Sequence, residues 1–268
     1  MTRRANAHVV ALLLTLGSAA AVPATGLASS GGSGIGRVSG AAQNHTSSST
    51  PSGPSGPSGP SATVQPANQT VSSTGNGITI SVRASALLLK GMRFSGSVPS
   101  SNAGSVIEIE RLGRETGWSW AATTHGIAGP DGSFSAFWPA NHIGRFQIRA
   151  VIERRGGTSA RAGTQSSPVT VTVYRPSIAT WYGPGSYGNK TACGVTLKKT
   201  TIGVANRTLR CGMPVAVYYN GKTMVVPVID RGPYANHADW DLTAATAKAL
   251  GTYAAGVATI GAVSLPSK

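Results

Sequence analysis

Three carboxylates stand close together in "VPVIDRGPYANHADWDLT", Val226 to Thr243: Asp230, Asp239 and Asp241. They are three of only eight acidic residues in a chain of formal net charge +15. Neighbouring carboxylates disfavour each other's ionised form, so one pKa rises. A carboxyl group with a raised pKa holds its proton near neutral pH and can donate it as a general acid. Each aspartate also has a structural reading. Asp241 can enter a helix with its oxygen on backbone N–H groups, although Thr243 offers a cap of its own. Asp230 can pair with Arg231 or fix the Gly232-Pro233 turn. Asp239 reads as a solvated loop residue. His237 shares that loop and reads as an ordinary loop histidine.

The elements that must position these residues follow from pattern. "SIATWY" (177–182), "TIGVA" (201–205), "PVAVYY" (214–219), "KTMVVPVID" (222–230) and "GVATIGAVSL" (256–265) read as strands. Asn220-Gly221 joins the third and fourth as a two-residue hairpin. "TAATAKALG" reads as one helix, capped by Thr243 and stopped by Gly251. This order predicts a small closed β-barrel with one short helix over 176–268.

Upstream, "ITISV", "VIEIER", "GPDGSFSAFW", "RFQIRAVIE" and "VTVTVY" alternate apolar and polar residues between turns. Short strands of that kind predict an antiparallel β-sandwich over 69–175. Its pattern resembles the Ig-like domains of bacterial surface proteins. Trp118, Trp120 and Trp138 suit packing at its core or rim, with sugar binding as the other option. "RPS" (175–177) marks the tight boundary with the barrel. Residues 29–68 are rich in Gly, Ser and Pro, including "PSGPSGPSGP", and read as a disordered linker. Residues 1–28 carry Arg3, Arg4 and the apolar run "VVALLLTLGSAAAV", the pattern of a secretory signal peptide. The expected location is therefore secreted, extracellular or associated with the cell envelope, with no membrane insertion after cleavage.

In an exported chain the cysteine pair, Cys193 and Cys211, reads as a disulfide. No His or Cys neighbours either at ligand spacing, so no metal is expected. No cofactor is expected either. The positive charge implies an anionic partner. Lys and Arg are scattered rather than clustered on a helix, which disfavours nucleic acid and leaves an envelope surface as the simpler partner. A basic surface with no specific partner is the plainer alternative.

Four ordered stretches carry a specific resemblance: "ATWYGPGSYGNKTACG" (179–194), "GVANRTLRCGMPVAV" (203–217), "VPVIDRGPY" (226–234) and "WDLTAATAKALG" (240–251). Together they resemble the double-psi β-barrel of the rare lipoprotein A (RlpA) family, with similar elements in expansins and barwin-like proteins. The resemblance implies an all-β fold: a six-stranded double-psi β-barrel with a polysaccharide groove. It also implies peptidoglycan, or another cell-wall polysaccharide, as the partner. Some family members are lytic transglycosylases, whereas expansins loosen walls without detectable hydrolysis. By the family motifs, Thr180 and Tyr182 line the groove. Asp230 matches the acidic residue after the long central strand, and Asp241 matches the aspartate of an "FDL" or "IDL" motif. Three positions depart from the active pattern: Val195 replaces Glu, Lys198 replaces Asp and Asn206 replaces His. The two cysteines fall in the same stretches, where a disulfide pins loops that the family leaves unlinked.

Glycoside hydrolysis normally requires two carboxyl groups. A lytic transglycosylase manages with one, which protonates the leaving oxygen and then deprotonates the sugar's own C6 hydroxyl. Asp241 is the candidate acid/base, with Asp230 tuning its charge. Tyr182, Tyr234 and Trp240 are candidate stacking faces, while Trp181, pointing opposite to Tyr182, is expected in the core. Asn206 can replace the family His as a hydrogen-bond donor but not as a proton-transfer acid. The expected function is wall binding and remodelling by a lytic-transglycosylase-like enzyme. The alternative is a non-catalytic, expansin-like wall-binding module.

Overall fold

The computed structural model describes residues 63–153, 164–235 and 237–265. The expected signal peptide and residues 29–62 of the expected linker lie outside the described residues. Residues 63–68, placed in that linker by composition, are ordered. Strand β1 (Gln65–Pro66) pairs with Thr223 and Lys222 of the barrel, and Ala67 N–H donates to Gly221 O at 2.7 Å. Val64 packs against the barrel core and Ala67 is buried. These two apolar residues anchor a segment whose composition otherwise disguises it.

The first lobe comprises β2 (Thr70–Gly75), β3 (Ile78–Arg83), β4 (Ser85–Leu87), β5 (Met92–Ser97), β6 (Val106–Leu112), β7 (Ala121–Ile127), β8 (Ser133–Trp138) and β9 (Gly144–Ile152). Strands β2, β3, β5 and β8 form one sheet in that order. Strands β9, β6 and β7 extend the other, whose next strand, β10 (Val169–Tyr182), also pairs with β4. Alternation decides which side chains meet between the sheets. Ile78, Ile80, Phe94, Ile107, Ile109, Phe146, Ile148 and Val171 form a single buried cluster drawn from both. Outside it, Glu110 pairs with Arg149 at 2.6 Å, and the Arg149 guanidinium lies 4.1 Å from the Trp120 ring centroid. Trp138 is buried and donates to Asn141, as a packing role requires.

Strand β10 runs unbroken through residues 175–177 for 14 residues. Its first half pairs with β9 and β4 of the sandwich, and its second half with barrel strands. The barrel adds β11 (Val204–Ala205), β12 (Pro214–Tyr219), β13 (Lys222–Asp230), β14 (Trp240–Thr243) and β15 (Ala258–Ser264). Pairing runs β14-β11-β13-β12-β15-β10, and β10 pairs again with β14, so six strands close on themselves. The sixth strand, β14, is the "WDLT" stretch, which the strand pattern alone does not mark. "TIGVA" contributes only its last two residues. Interior positions Val204, Val215, Val217, Val226, Val228, Leu242 and Ile260 make the core, each worth roughly 1.5–3 kcal/mol when fully buried. Asn220 and Gly221 take positive φ values of 44° and 79°, the conformation a type I′ hairpin needs. Helix α1 (Ala244–Leu250) starts at Thr243, whose hydroxyl accepts Thr246 N–H, and stops at left-handed Gly251.

Candidate functional site

Register brings the candidate residues together. Across neighbouring strands, Thr180 pairs with Asp241, Asp241 with Ala205, and Ala205 with Asp230. Residues in register share a face. Ala179, Val204, Trp240 and Leu242 belong to the interior. Thr180, Ala205 and Asp241 therefore belong to the outer face of the barrel. Asp230 lies in step with interior Val226 and Val228, so simple alternation would turn it inward. A register shift between Val204 and Ala205 sets one residue of β11 against two of β13. Such an irregularity exchanges faces, and Asp230 joins the others. Asp241 and Asp230 stand two strands apart, about 10 Å between backbones, with Ala205 between them.

Asp241 is half-buried. Thr180 Oγ1 donates to its Oδ1 at 2.7 Å. Burial raises the Asp241 pKa above the ordinary carboxylate value, Thr180 opposes that rise, and the charge of Asp230 adds to it. Helix entry is not its role, because Thr243 supplies the cap. Asp230 uses Oδ1 to accept the backbone N–H groups of Ala192 at 2.9 Å and Arg231 at 2.8 Å. The Arg231 guanidinium turns away from the carboxylate. It donates to Asn206 O and Leu209 O, and its other nitrogen approaches Cys211 Sγ at 3.4 Å.

Tyr182 leans over this pair. Burial first, then the charges of Asp230 and Asp241, drives its pKa far upward. Its hydroxyl is buried with no well-aligned hydrogen bond among the described residues, although Asp230 lies close enough to act on it. Trp181 points the other way, stacks on Tyr253 at 4.2 Å and donates to Tyr253 O at 3.0 Å. Tyr182 and Asp230 share a cavity of about 240 Å³ with Ser186, Asn189, Lys190 and Leu197. That volume is below the roughly 300–1,000 Å³ of ordinary ligand pockets. Asp241 is not among the residues that line this cavity.

The other candidates fall elsewhere. Asn206 accepts Thr208 and Leu209 N–H groups with its side-chain oxygen, at 3.1 and 2.9 Å, closing its own turn. Asn206 and Trp240 border a separate cleft of about 620 Å³. Trp240, expected as a stacking face, is only 8% exposed and packs in the barrel core. Its parity on β14 is opposite to that of Asp241, so one of the two had to face inward. Tyr234 is 79% exposed and lines neither cavity. Asp239, read as solvated, is exposed but bound: Ile178 N–H donates to its Oδ2 at 3.1 Å, and its own N–H donates to Ile178 O at 2.9 Å. It tethers the incoming loop to β10. Val195, at the position of the family Glu, is 37% exposed.

Sequence reasoning did not find Ala192, whose backbone amide holds Asp230, nor Ala205 as the spacer between carboxylates. The signal for Ala192 is its neighbour. Cys193 and Cys211 are disulfide-bonded, which fixes the 190s loop next to the strand end carrying Asp230. Among the described residues no cluster of His, Cys, Asp and Glu suits a metal ion.

Residues 176–262 match the family described as "Lytic transglycolase". The chain is 37% identical over 103 residues to the "Probable endolytic peptidoglycan transglycosylase RlpA" of Synechocystis sp., covering 38% of this chain and 32% of that protein. It is 38% identical over 86 residues to the protein of the same name from Aquifex aeolicus, covering 31% of this chain and 38% of that one. It is 35% identical over 85 residues to the "Endolytic peptidoglycan transglycosylase RlpA" of Campylobacter jejuni, covering 31% of each. The chain thus spans about a third of the length of these relatives. Among solved structures, the Streptomyces papain inhibitor aligns at 28% identity over 34% of this chain and 93% of its own, with a TM-score of 0.29. The closed six-stranded barrel at the C-terminal end of this chain is an RlpA-like double-psi β-barrel domain.

Proposed function

We propose that this protein is an envelope-associated lytic transglycosylase that cleaves peptidoglycan glycan strands with Asp241 as acid and base. The observation that carries this reading is the Thr180–Asp241–Ala205–Asp230 row, with its half-buried carboxyl group of raised pKa. Protonated Asp241 gives its proton to the leaving glycosidic oxygen. The resulting carboxylate takes the proton of the C6 hydroxyl, whose oxygen closes on C1 as an anhydro ring. One carboxyl group suffices for both steps. Thr180 stabilises the carboxylate between them, since a hydroxyl donor favours the charged form. Asp230, two strands away, favours the protonated form before substrate arrives. The Tyr182 hydroxyl supplies a donor for a sugar oxygen in the adjoining cavity. The Ig-like identity of the sandwich, secretion through a signal peptide and presentation by a spacer belong to the same proposal.

A second reading has its own observation. Asn206 spends its side-chain oxygen on its own turn, and Val195 offers no carboxyl group. A barrel short of those groups would bind glycan without cutting it. Incubation with purified sacculi separates the two. Cleavage predicts soluble anhydro-muropeptides that disappear with Asp241→Asn. Binding alone predicts co-sedimentation without new soluble products.

A further inference from the structure

A cavity of about 700 Å³ opens between the sandwich and the barrel, away from the aspartates. Its floor is apolar and comes from both lobes, with Ile143 on one side and Val263 and Leu265 on the other. Trp118 stands on its wall, 41% exposed. Arg114 and Arg145 also line it. Both are exposed, and neither makes a side-chain hydrogen bond or ion pair among the described residues. The acidic residue among the described residues lining it, Glu115, is already engaged: Arg111 holds it at 3.1 Å and His142 Nδ1 lies 2.9 Å from it. The cavity therefore presents an aromatic face, an apolar floor and two uncommitted guanidinium groups.

That combination selects a ligand. Indole stacks on the C–H face of a pyranose, an apolar floor takes methyl groups, and arginine binds carboxylates in a fork geometry. The volume falls within the range of ligand sites. We propose that this cavity is a second saccharide site, which takes a sugar bearing a carboxylate through Trp118, Arg114 and Arg145. This rests on the peptidoglycan reading above and extends it: the sandwich and barrel together hold an acidic part of the wall while the aspartates act on another sugar.

The test is calorimetric titration of the full-length protein with muramyl dipeptide, an N-acetylated sugar whose lactyl-linked dipeptide ends in one free carboxylate, beside neutral N,N′-diacetylchitobiose. Muramyl dipeptide binds the wild type, and diacetylchitobiose binds at least tenfold more weakly. The double variant Arg114→Ala/Arg145→Ala loses about tenfold or more in affinity for muramyl dipeptide, the scale of charged hydrogen bonds. Both arginines are on the surface, so the variant keeps its melting temperature. Arg145→Lys alone, which keeps the charge, loses less. The proposal is overturned if muramyl dipeptide fails to bind, if the double variant binds it unchanged, or if the neutral sugar binds equally well. A protein that binds muramyl dipeptide at the arginines yet releases nothing from sacculi loses the cleavage reading and keeps this site.

Discussion

At the scale of single residues, Asp241 combines a charge that burial penalises with the position proposed for the acid. Its folded pKa stands above its unfolded one. The native state thus binds more protons than the unfolded state between those two values, and stability falls as pH rises through that window. The penalty is absent in acid, where both states are protonated, and complete above the folded pKa. Asp241→Asn removes it. Thermal melts should show the variant more stable than wild type at pH 7 and the two alike below the unfolded carboxyl pKa of about 3.9. Thr180→Val deletes the hydroxyl that favours the carboxylate. If Asp241 must be protonated to act, the alkaline fall in cleavage rate should move to higher pH in this variant. A fall that stays in place would separate Thr180 from the acid. Tyr182→Phe should leave stability unchanged or raise it by up to about 1 kcal/mol, because a buried hydroxyl without a partner is costly. If that hydroxyl meets the sugar, glycan binding falls at the same time.

At the scale of elements, two short loops and one register shift do most of the positioning. Ala192 N–H holds Asp230, and Cys193 ties that loop to Cys211 beside the Arg231 guanidinium. Closing a loop of this length stabilises by about 3 kcal/mol in the chain-entropy model. Cys193→Ser/Cys211→Ser should lower stability by about that amount in a denaturant titration, and cleavage should fall because Asp230 loses its tether. Much of this level is legible in the sequence. The Asn220-Gly221 hairpin, the strands 214–219 and 222–230 and the Thr243–Gly251 helix follow from local turn and capping chemistry. The less legible features depend on distant partners. Trp240 looks like a stacking face until pairing with β10 and β11 fixes its parity inward. Asp230 looks like a turn residue until the Val204/Ala205 shift turns it outward. Neither register nor bulge is written in a single strand.

At the scale of the whole molecule, the sandwich and barrel are joined by more than a linker. Strand β10 belongs to both, and Tyr174, Ala216 and Val263 are buried together at the junction. Tyr174 shares a hydrogen bond of 2.7 Å with Thr223 across it, and β1 lies along β13. The two lobes should therefore melt as one cooperative unit. Calorimetry should give a single transition whose calorimetric and van't Hoff enthalpies agree, whereas two separated transitions would mean that β10 is a tether only. This union also sets the cavity of Arg114 and Arg145 at a fixed place relative to the aspartates. The proposed activity is chemical: one carboxyl group, held by Thr180 on the outer face of the barrel, would cut a glycan strand. The most direct measurement is the time course of 1,6-anhydro products released from purified sacculi by wild type and by Asp241→Asn. Steady release by the wild type and at least a hundredfold loss in the variant are expected, on the scale of a deleted general acid. Equal release by both proteins, or none by a wild type that still sediments with the sacculi, would contradict the proposed activity.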